Sequence, residues 1–518
     1  MSYLNVTNVS HSFGGREILN DVTFKLLRGE HVGLVGANGE GKSTFLNIVT
    51  GKLLPEEGRV EWPSKISVGY LDQQSTLKAG TTIRQFLRTA FDHMYETEKH
   101  IMAAYDQMAE ATPSETDKLM AQVGEMQSDL EQSGFYELDT KIEEVANGLG
   151  LGDIGLDRDV AELSGGQRSK VLLTKLLLEN NNILLLDEPT NYLDENHINW
   201  LTTFLQNYEN AFVLISHDTD FLNKVVNVVY HLENATLTRY TGNYDKFLEL
   251  SAIHKAQLNS AYERQQQEVA QLEDFIARNK ARISTTGRAK SRQKKLDKMT
   301  MIVKPQEKLQ PHFKFKEGRT PGRILVEARE LVLGYDQPLT RPVSFKLERG
   351  KKIAIKGVNG LGKTTLLKTI LGLLPPFTGT VIPGDFLEVG YFEQEERNKN
   401  QKTALEDVWD EYPALTNSEV RGALAACGLT NEHITTKVFV LSGGEAAKVR
   451  LCKLMLKEIN WLVLDEPTNH LDVAAKDELR EALINFKGSI LLVSHDPAFY
   501  SDWIDQVLNI EDWTTKII

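Results

Sequence analysis

Two stretches decide the fold: Gly36 to Ser43, GANGEGKS, and Gly357 to Thr364, GVNGLGKT. Each fits Gly-x4-Gly-Lys-Ser/Thr, a loop whose glycines let backbone N–H groups approach phosphate oxygens while the following helix turns its positive end toward them. The copies stand 321 residues apart, and so do GYLDQ ending at Gln73 and GYFEQ ending at Gln394. Further along, LSGG ending at Gly166 and Gly444, DEPTN starting at Asp187 and Asp465, and SHD starting at Ser216 and Ser494 are separated by 278. The chain is a duplication whose first copy carries a net excess of 43 residues between Gln73 and Ser164.

At 518 residues, 41% hydrophobic and 25% charged, the chain has the composition of a folded protein of more than one domain, which excludes collagenous and mostly disordered readings. No apolar run reaches the roughly 18 residues of a membrane span, and Met1 to Gly15 lacks a basic segment followed by an apolar one. Cys427 and Cys452 are the only cysteines, too few for a disulfide framework or a four-ligand zinc site, so a reducing cytoplasm is expected. The net charge of −13 argues against non-specific nucleic-acid binding by the body of the protein.

The repeat predicts an α/β fold of two P-loop domains, residues 1–244 and 323–518, joined by a helical linker over 245–322. Short aliphatic runs at Val32 to Val35, Ile183 to Leu186, Val213 to Ile215 and Leu462 to Leu464 read as strands, each delivering a motif at its C-terminal end, where open parallel sheets place ligand chemistry. The phosphate loops comprise Gly36, Asn38, Gly39, Gly41 and Thr44 in one copy, and Gly357, Asn359, Gly360, Gly362 and Thr365 in the other. Lys42 and Lys363 are placed to reach the β- and γ-phosphates of ATP. Ser43 and Thr364 supply a hydroxyl, and Asp187 and Asp465 a carboxylate, for Mg²⁺. Glu188 and Glu466 follow directly, placed to polarise an attacking water, so a hydrolytic role is written into both copies.

Leu163 to Gln167, LSGGQ, and Leu441 to Glu445, LSGGE, resemble the signature of the ATP-binding-cassette superfamily. The resemblance implies head-to-tail packing, with Ser164, Gly165 and Gly166 facing the ATP held by Lys363, and Ser442, Gly443 and Gly444 facing that held by Lys42. It also implies that Gln73 and Gln394 sense the metal, that His217 and His495 hold the γ-phosphate, and that Asp194 and Asp472 link the sites. Phe13 and Tyr335 stand where an aromatic would stack on adenine.

The 43-residue excess reads as an antiparallel helical arm within residues 85–135, with stripes Met94, Ile101, Tyr105, Met108 and Leu119, Val123, Met126, Leu130. Thr112-Pro113-Ser114-Glu115 supplies an N-cap, a first-turn proline and a capping glutamate between them. Phe91 to Ser133 carries −8, which suits a basic protein partner or a merely solvated hairpin equally. The linker reads as helix from near Asp245 through Ala281, with Leu258, Val269, Leu272 and Ile276 packing, broken at Ser284 to Gly287, and helix again over Arg288 to Met299. Arg278, Lys280, Arg282, Arg288, Lys290, Arg292, Lys294, Lys295 and Lys298 oppose only Asp297, giving +8 in 21 residues and leaving −21 elsewhere. Such a tip docks phosphate backbones, RNA first among them.

The whole chain resembles the ABC-F family of translation ATPases. Phe275 to Met299 looks like that family's P-site tRNA interaction motif, and YTGNY at Tyr240 to Tyr244 resembles the stretch leading into it. The resemblance implies a monomer whose two cassettes pair with each other, binding the tRNA exit site of the 70S ribosome. ATP-driven closure would push the tip toward P-site tRNA and large-subunit rRNA, and the arm would touch a ribosomal protein. Family members that protect ribosomes from antibiotics often carry a longer tip loop, so the short one here leans toward a housekeeping factor. The competing reading is the ATPase subunit of a membrane transporter, which shares every nucleotide motif but needs neither arm nor basic linker. A DNA-maintenance ATPase would place far longer coiled coils or zinc modules between its halves, and a pure binding module is disfavoured by Glu188 and Glu466.

Overall fold

A computed structural model describes residues 2–13, 16–63, 66–71, 80–108, 112–191, 193–279, 286–299, 310–335, 337–358, 360–393, 400–469 and 471–514, with the backbone alone at 13, 16, 113, 114, 153, 279 and 286–289.

In the first cassette, β1 (Ser2–Phe13) pairs antiparallel with β2 (Arg16–Leu27) on one side and β4 (Glu57–Glu61) on the other. The central sheet runs β5 (Val68–Tyr70), β6 (Ile183–Asp187), β7 (Ala211–Ile215), β3 (His31–Val35), β8 (Val228–Glu233), β9 (Thr236–Thr241), parallel except for the last pair. Strand β6 shows why an unbroken aliphatic run forms here. Side chains alternate across a strand, so Ile183 and Leu185 enter the core shared with β1 and β2, while Leu184 and Leu186 enter the core under the helices. Both faces are covered, and the strand has no polar face to show.

The second cassette repeats the plan. Strand Trp461–Asp465 lies between Val389–Phe392 and Ser489–Val493, again parallel, with Trp461 and Val463 in one core and Leu462 and Leu464 in the other.

The arm is a pair of helices, Asp92–Met108 and Pro113–Gln132. Thr112 caps the second, and Glu115 accepts from the Thr112 backbone N–H at 3.0 Å. Ile101, Ala104, Val123 and Leu130 are buried between the helices and the cassette core. The stripe differs from expectation at Tyr105, which is 46% exposed and accepts from Gln127 Nε2 at 3.1 Å. A three-residue step from Ile101 brings the small Ala104, rather than a ring, to the contact.

The linker leaves the first cassette as a 36-residue helix, Tyr244–Asn279, which at about 1.5 Å per residue spans roughly 50 Å. Phe247 anchors its start against Tyr240 and His231. Val269 and Leu272 are buried where the return helix Thr286–Asp297 packs, whereas Leu258 is 37% exposed. The return helix already includes Thr286 and Gly287, which the sequence placed in the break. Beyond the linker, Phe313 and Phe315 are buried in the core of the second cassette.

Candidate functional site

Each phosphate loop joins the end of a buried strand to a short helix, Lys42–Val49 or Lys363–Ile370. Gly41 and Gly362 cap these helices at φ 100° and 95°, a left-handed geometry that favours glycine, and a Cβ on Gly36 would stand 2.5 Å from the Leu232 carbonyl oxygen. Both lysines fold back over their loops. Lys42 Nζ donates to the Gly36 and Ala37 carbonyls at 2.7 and 3.0 Å, and Lys363 Nζ to the Gly357 carbonyl at 2.6 Å. Burial lowers the pKa of both, that of Lys363 to about 8.

Behind each loop a hydroxyl meets a carboxylate: Ser43 Oγ donates to Asp187 Oδ2 at 3.1 Å, and Thr364 Oγ1 to Asp465 Oδ2 at 2.7 Å. Burial raises both aspartates. A buried carboxylate with a hydroxyl beside it is the hard-oxygen donor set that suits Mg²⁺, an ion that takes few protein ligands and completes its shell with phosphates and water.

The glutamates that follow are held in an unusual way. Glu188 and Glu466 take φ 49° and 48°, left-handed values that cost a non-glycine residue about 1–3 kcal/mol and persist where surrounding structure imposes them. Each N–H is fixed by the neighbouring strand, to the Ile215 and Val493 carbonyls at 2.9 Å. Each Oε2 accepts from a histidine backbone N–H, His217 or His495, at 3.3 Å, which leaves Oε1 buried without a hydrogen-bond partner among the described residues. Burial foremost pushes both carboxyls up to about 8. The repetition of one strained geometry in two copies marks a position set by chemistry rather than by packing.

The histidines differ. His217 Nε2 lies 3.5 Å from Glu188 Oε1. His495 Nε2 lies 2.7 Å from Lys363 Nζ and 3.3 Å from Glu466 Oε1, and burial, then Lys363, lowers its pKa to about 4. A neutral ring nitrogen that accepts from the lysine has no proton left for Glu466.

The two cassettes meet head to tail. Ser164 and Ser442 cap the signature helices Gly165–Leu178 and Gly443–Leu456. The second signature abuts the first phosphate loop so closely that a Cβ on Gly39 would stand 2.7 Å from Glu445 Oε1. In the other direction, the charges of Asp194 and Lys170 reach His495, and Lys356 bridges to Glu195 at 3.4 Å. A chamber of about 550 Å³ between the cassettes is lined by Glu188 and His217 from one and Glu466 and His495 from the other. Asp194 accepts from the His197 backbone N–H at 3.2 Å with the His197 ring Nδ1 2.7 Å away, and Asp472 accepts from Lys448 Nζ at 3.4 Å.

Comparison with known sequences fits this geometry. The family profile described as ABC transporter matches residues 19–191 and 340–469, and a second profile of the same description matches 230–315. ABC transporter F family member 5 of Arabidopsis thaliana is 36% identical over 99% of this chain and 75% of its own length. The chain belongs to the ABC-F family of ATP-binding-cassette proteins. The ABC-F chain is also 58% identical, over the full length of both, to the uncharacterized ABC transporter ATP-binding protein YfmM of Bacillus subtilis (strain 168). Among solved structures, the archaeal ribosome recycling factor aABCE1 in complex with stalk protein aP1 shares the fold, with a TM-score of 0.56 and 21% identity over 97% of this chain and 87% of that one. Among the described residues no helix is long and apolar enough to cross a membrane.

Of the residues singled out in the sequence, Gln73, Gln394, Asn359, Lys280 and Arg282 lie outside the described residues, as do the side chains of Phe13 and Arg288. Tyr335 is 61% exposed and its hydroxyl accepts from Thr365 Oγ1 at 3.5 Å, beside the second phosphate loop. On the linker of this ABC-F protein, Arg278 pairs with Asp274 at 2.8 Å, Lys295 with Glu268 at 2.6 Å, and Arg292 lies 3.6 Å above the Phe275 ring. Lys295 and Arg292 thus also tie the two linker helices together, while Lys290, Lys294 and Lys298 stand exposed. Sequence reasoning missed Lys170 and Lys448, both buried in the signature helices. Their separation of 278 was the available signal.

Proposed function

We propose that this ABC-F protein is a ribosome-binding ATPase, working at the tRNA exit site through ATP-gated closure of its two cassettes. The ribosomal part is supported by one observation above others: a basic linker tip whose described cations Lys290, Lys294 and Lys298 are exposed, on a body carrying −21. A single-sign tip on a body of the opposite sign favours phosphate backbone at the tip and repels it elsewhere. The tandem-cassette fold is shared with aABCE1, by its own description a ribosome recycling factor. P-site tRNA and large-subunit rRNA are the partners that the tip would meet, and the arm, acidic along both helices, suits a basic ribosomal protein.

Hydrolysis is supported by Glu188 Oε1 and Glu466 Oε1, each buried and free to accept a hydrogen bond from water. Lys42 and Lys363 would bind phosphate oxygens, and His217 and His495 would orient the γ-phosphate beside the glutamates. Ser43, Asp187, Thr364 and Asp465 would hold Mg²⁺, which neutralises phosphate charge when bound. Head-to-tail packing would make each site depend on both cassettes.

The test is co-sedimentation of the Glu188→Gln, Glu466→Gln variant with 70S ribosomes, with and without ATP. ATP-dependent pelleting is expected. Failure to pellet while ATP still binds would move the transporter-subunit reading to the front.

A further inference from the structure

The two ATP sites differ at the residue that closes the signature. Counterparts from the signature onward are 278 residues apart, so Glu445 corresponds to Gln167 and His433 to Gly155. Both Gln167 and Glu445 complete a capping box with the serine three residues before. Only the second can carry charge. Glu445 is buried, its Oε2 accepts from the Ser442 N–H at 2.9 Å, and its Oε1 lies 3.2 Å from His433 Nε2. His433 Nδ1 accepts from the Thr430 N–H at 3.4 Å, which assigns the ring hydrogen to Nε2 and the donated bond to Glu445. With a neutral imidazole in that arrangement, the carboxylate keeps its negative charge.

The carboxylate does not face its own cassette alone. Its Oε1 stands 2.7 Å from where a Cβ on Gly39 would be, against the phosphate loop that serves Lys42. The nearest cation on the same helix, Lys448, is engaged by Asp472. At the Lys363 site, the corresponding place in the facing signature holds the neutral Gln167, and among the described residues nothing stands within 4 Å of a Cβ on Gly360, the counterpart of Gly39.

We propose that Glu445, oriented by His433, sets the two sites apart in nucleotide affinity, the second cassette delivering a negative group to the Lys42 phosphate loop so that the Lys363 site fills with ATP first. Triphosphate entering the Lys42 site must approach this carboxylate or displace it, and like charges at close range in a partly buried site repel. The inference depends on nucleotide binding alone and stands apart from the ribosomal reading.

Fluorescent ATP titration of the full chain with Mg²⁺ tests it. Lys363→Ala leaves the Lys42 site to be read, and Lys42→Ala leaves the other. The Lys363 site should bind more tightly, and Glu445→Gln should tighten the Lys42 site by roughly tenfold, the size expected of one charge acting through a partly buried site, while leaving the Lys363 site unchanged. The reverse exchange, Gln167→Glu, should weaken the Lys363 site by a similar factor and gives the answer even if Glu445→Gln folds poorly. Equal affinities at the two sites, or a Glu445→Gln variant that binds ATP no better, would overturn the proposal. Loss of ribosome pelleting with these site affinities intact would count against the proposed function and not against Glu445.

Discussion

Replacing Glu188 and Glu466 together by Gln probes the site where its electrostatics are most extreme. Burial is the largest cause that raises each carboxyl from 4.5 to about 8, with Asp187 and Asp465 adding to it and Lys42 and Lys363 opposing. A folded-state pKa above the unfolded value means that the folded protein holds the proton more tightly. The associated stability is therefore fully present below pH 4.5 and lost as pH rises through about 8. One pKa unit corresponds to about 1.4 kcal/mol, so at pH 7 each glutamate costs the nucleotide-free, metal-free fold on the order of 3 kcal/mol. Their side chains are 15% and 7% exposed, and the water this admits brings the expected total for the pair to about 4 kcal/mol. Gln has the shape of the neutral acid and cannot ionise. In thermal unfolding with EDTA, the double variant should nearly match the parent at pH 5 and unfold at a higher temperature at pH 7.5, by about 2–4 °C per kcal/mol. In the same protein ATP hydrolysis should fall by about 10²- to 10⁴-fold, the usual share of a general base. A difference in midpoint that stays flat from pH 5 to pH 8, or that favours the parent, would refute the claim that these carboxyls are driven toward their neutral form.

Two further outcomes follow from the insertions. Ile101→Ala with Val123→Ala removes buried methyl groups from the arm, at about 2–5 kcal/mol for each such truncation, so limited proteolysis should cut within 92–132 much faster while ATP affinity stays unchanged. Lys290→Glu, Lys294→Glu and Lys298→Glu together should weaken ribosome binding and flatten its dependence on salt, measured by pelleting from 50 to 300 mM KCl; an unchanged slope would remove the tip from the interface.

The nucleotide site was legible in the sequence because its parts are short, local and present twice. An aliphatic run ending in Asp-Glu can only be a strand buried on both faces, and Ile183–Asp187 and Trp461–Asp465 are such strands. The insertions were legible as helices and less so in detail. Periodicity could not tell that Ala104 would be buried while Tyr105 stayed exposed, since both fit a three-to-four spacing from Ile101. Nor could it tell that Leu258 would stay exposed, because a helix of 36 residues is covered only where another element reaches it. The basic tip was plain as a charge total. That Lys295 and Arg292 also tie the linker helices together required partners 27 and 17 residues away to be brought into place.

Duplication separates what the chemistry demands from what each site is allowed to vary. The left-handed glutamates, the histidine N–H groups that fix their Oε2 atoms and the hydroxyl–aspartate pairs recur in both copies, as groups required by the proposed hydrolysis would. Beyond the histidines, differences lie in what the opposite cassette brings. Glu445 stands where the first copy has Gln167, and Lys476 stands where the first copy has Ile198, with Lys476 and Ile198 opening on the same chamber between the sites. A site assembled from two cassettes can keep its own catalytic groups and still be retuned from across the interface, because a charge placed by the partner alters one site without altering the other. On this reasoning the inequality of the two ATP sites resides in their facing surfaces. It should survive exchange of either phosphate loop and vanish when the facing residues are exchanged instead.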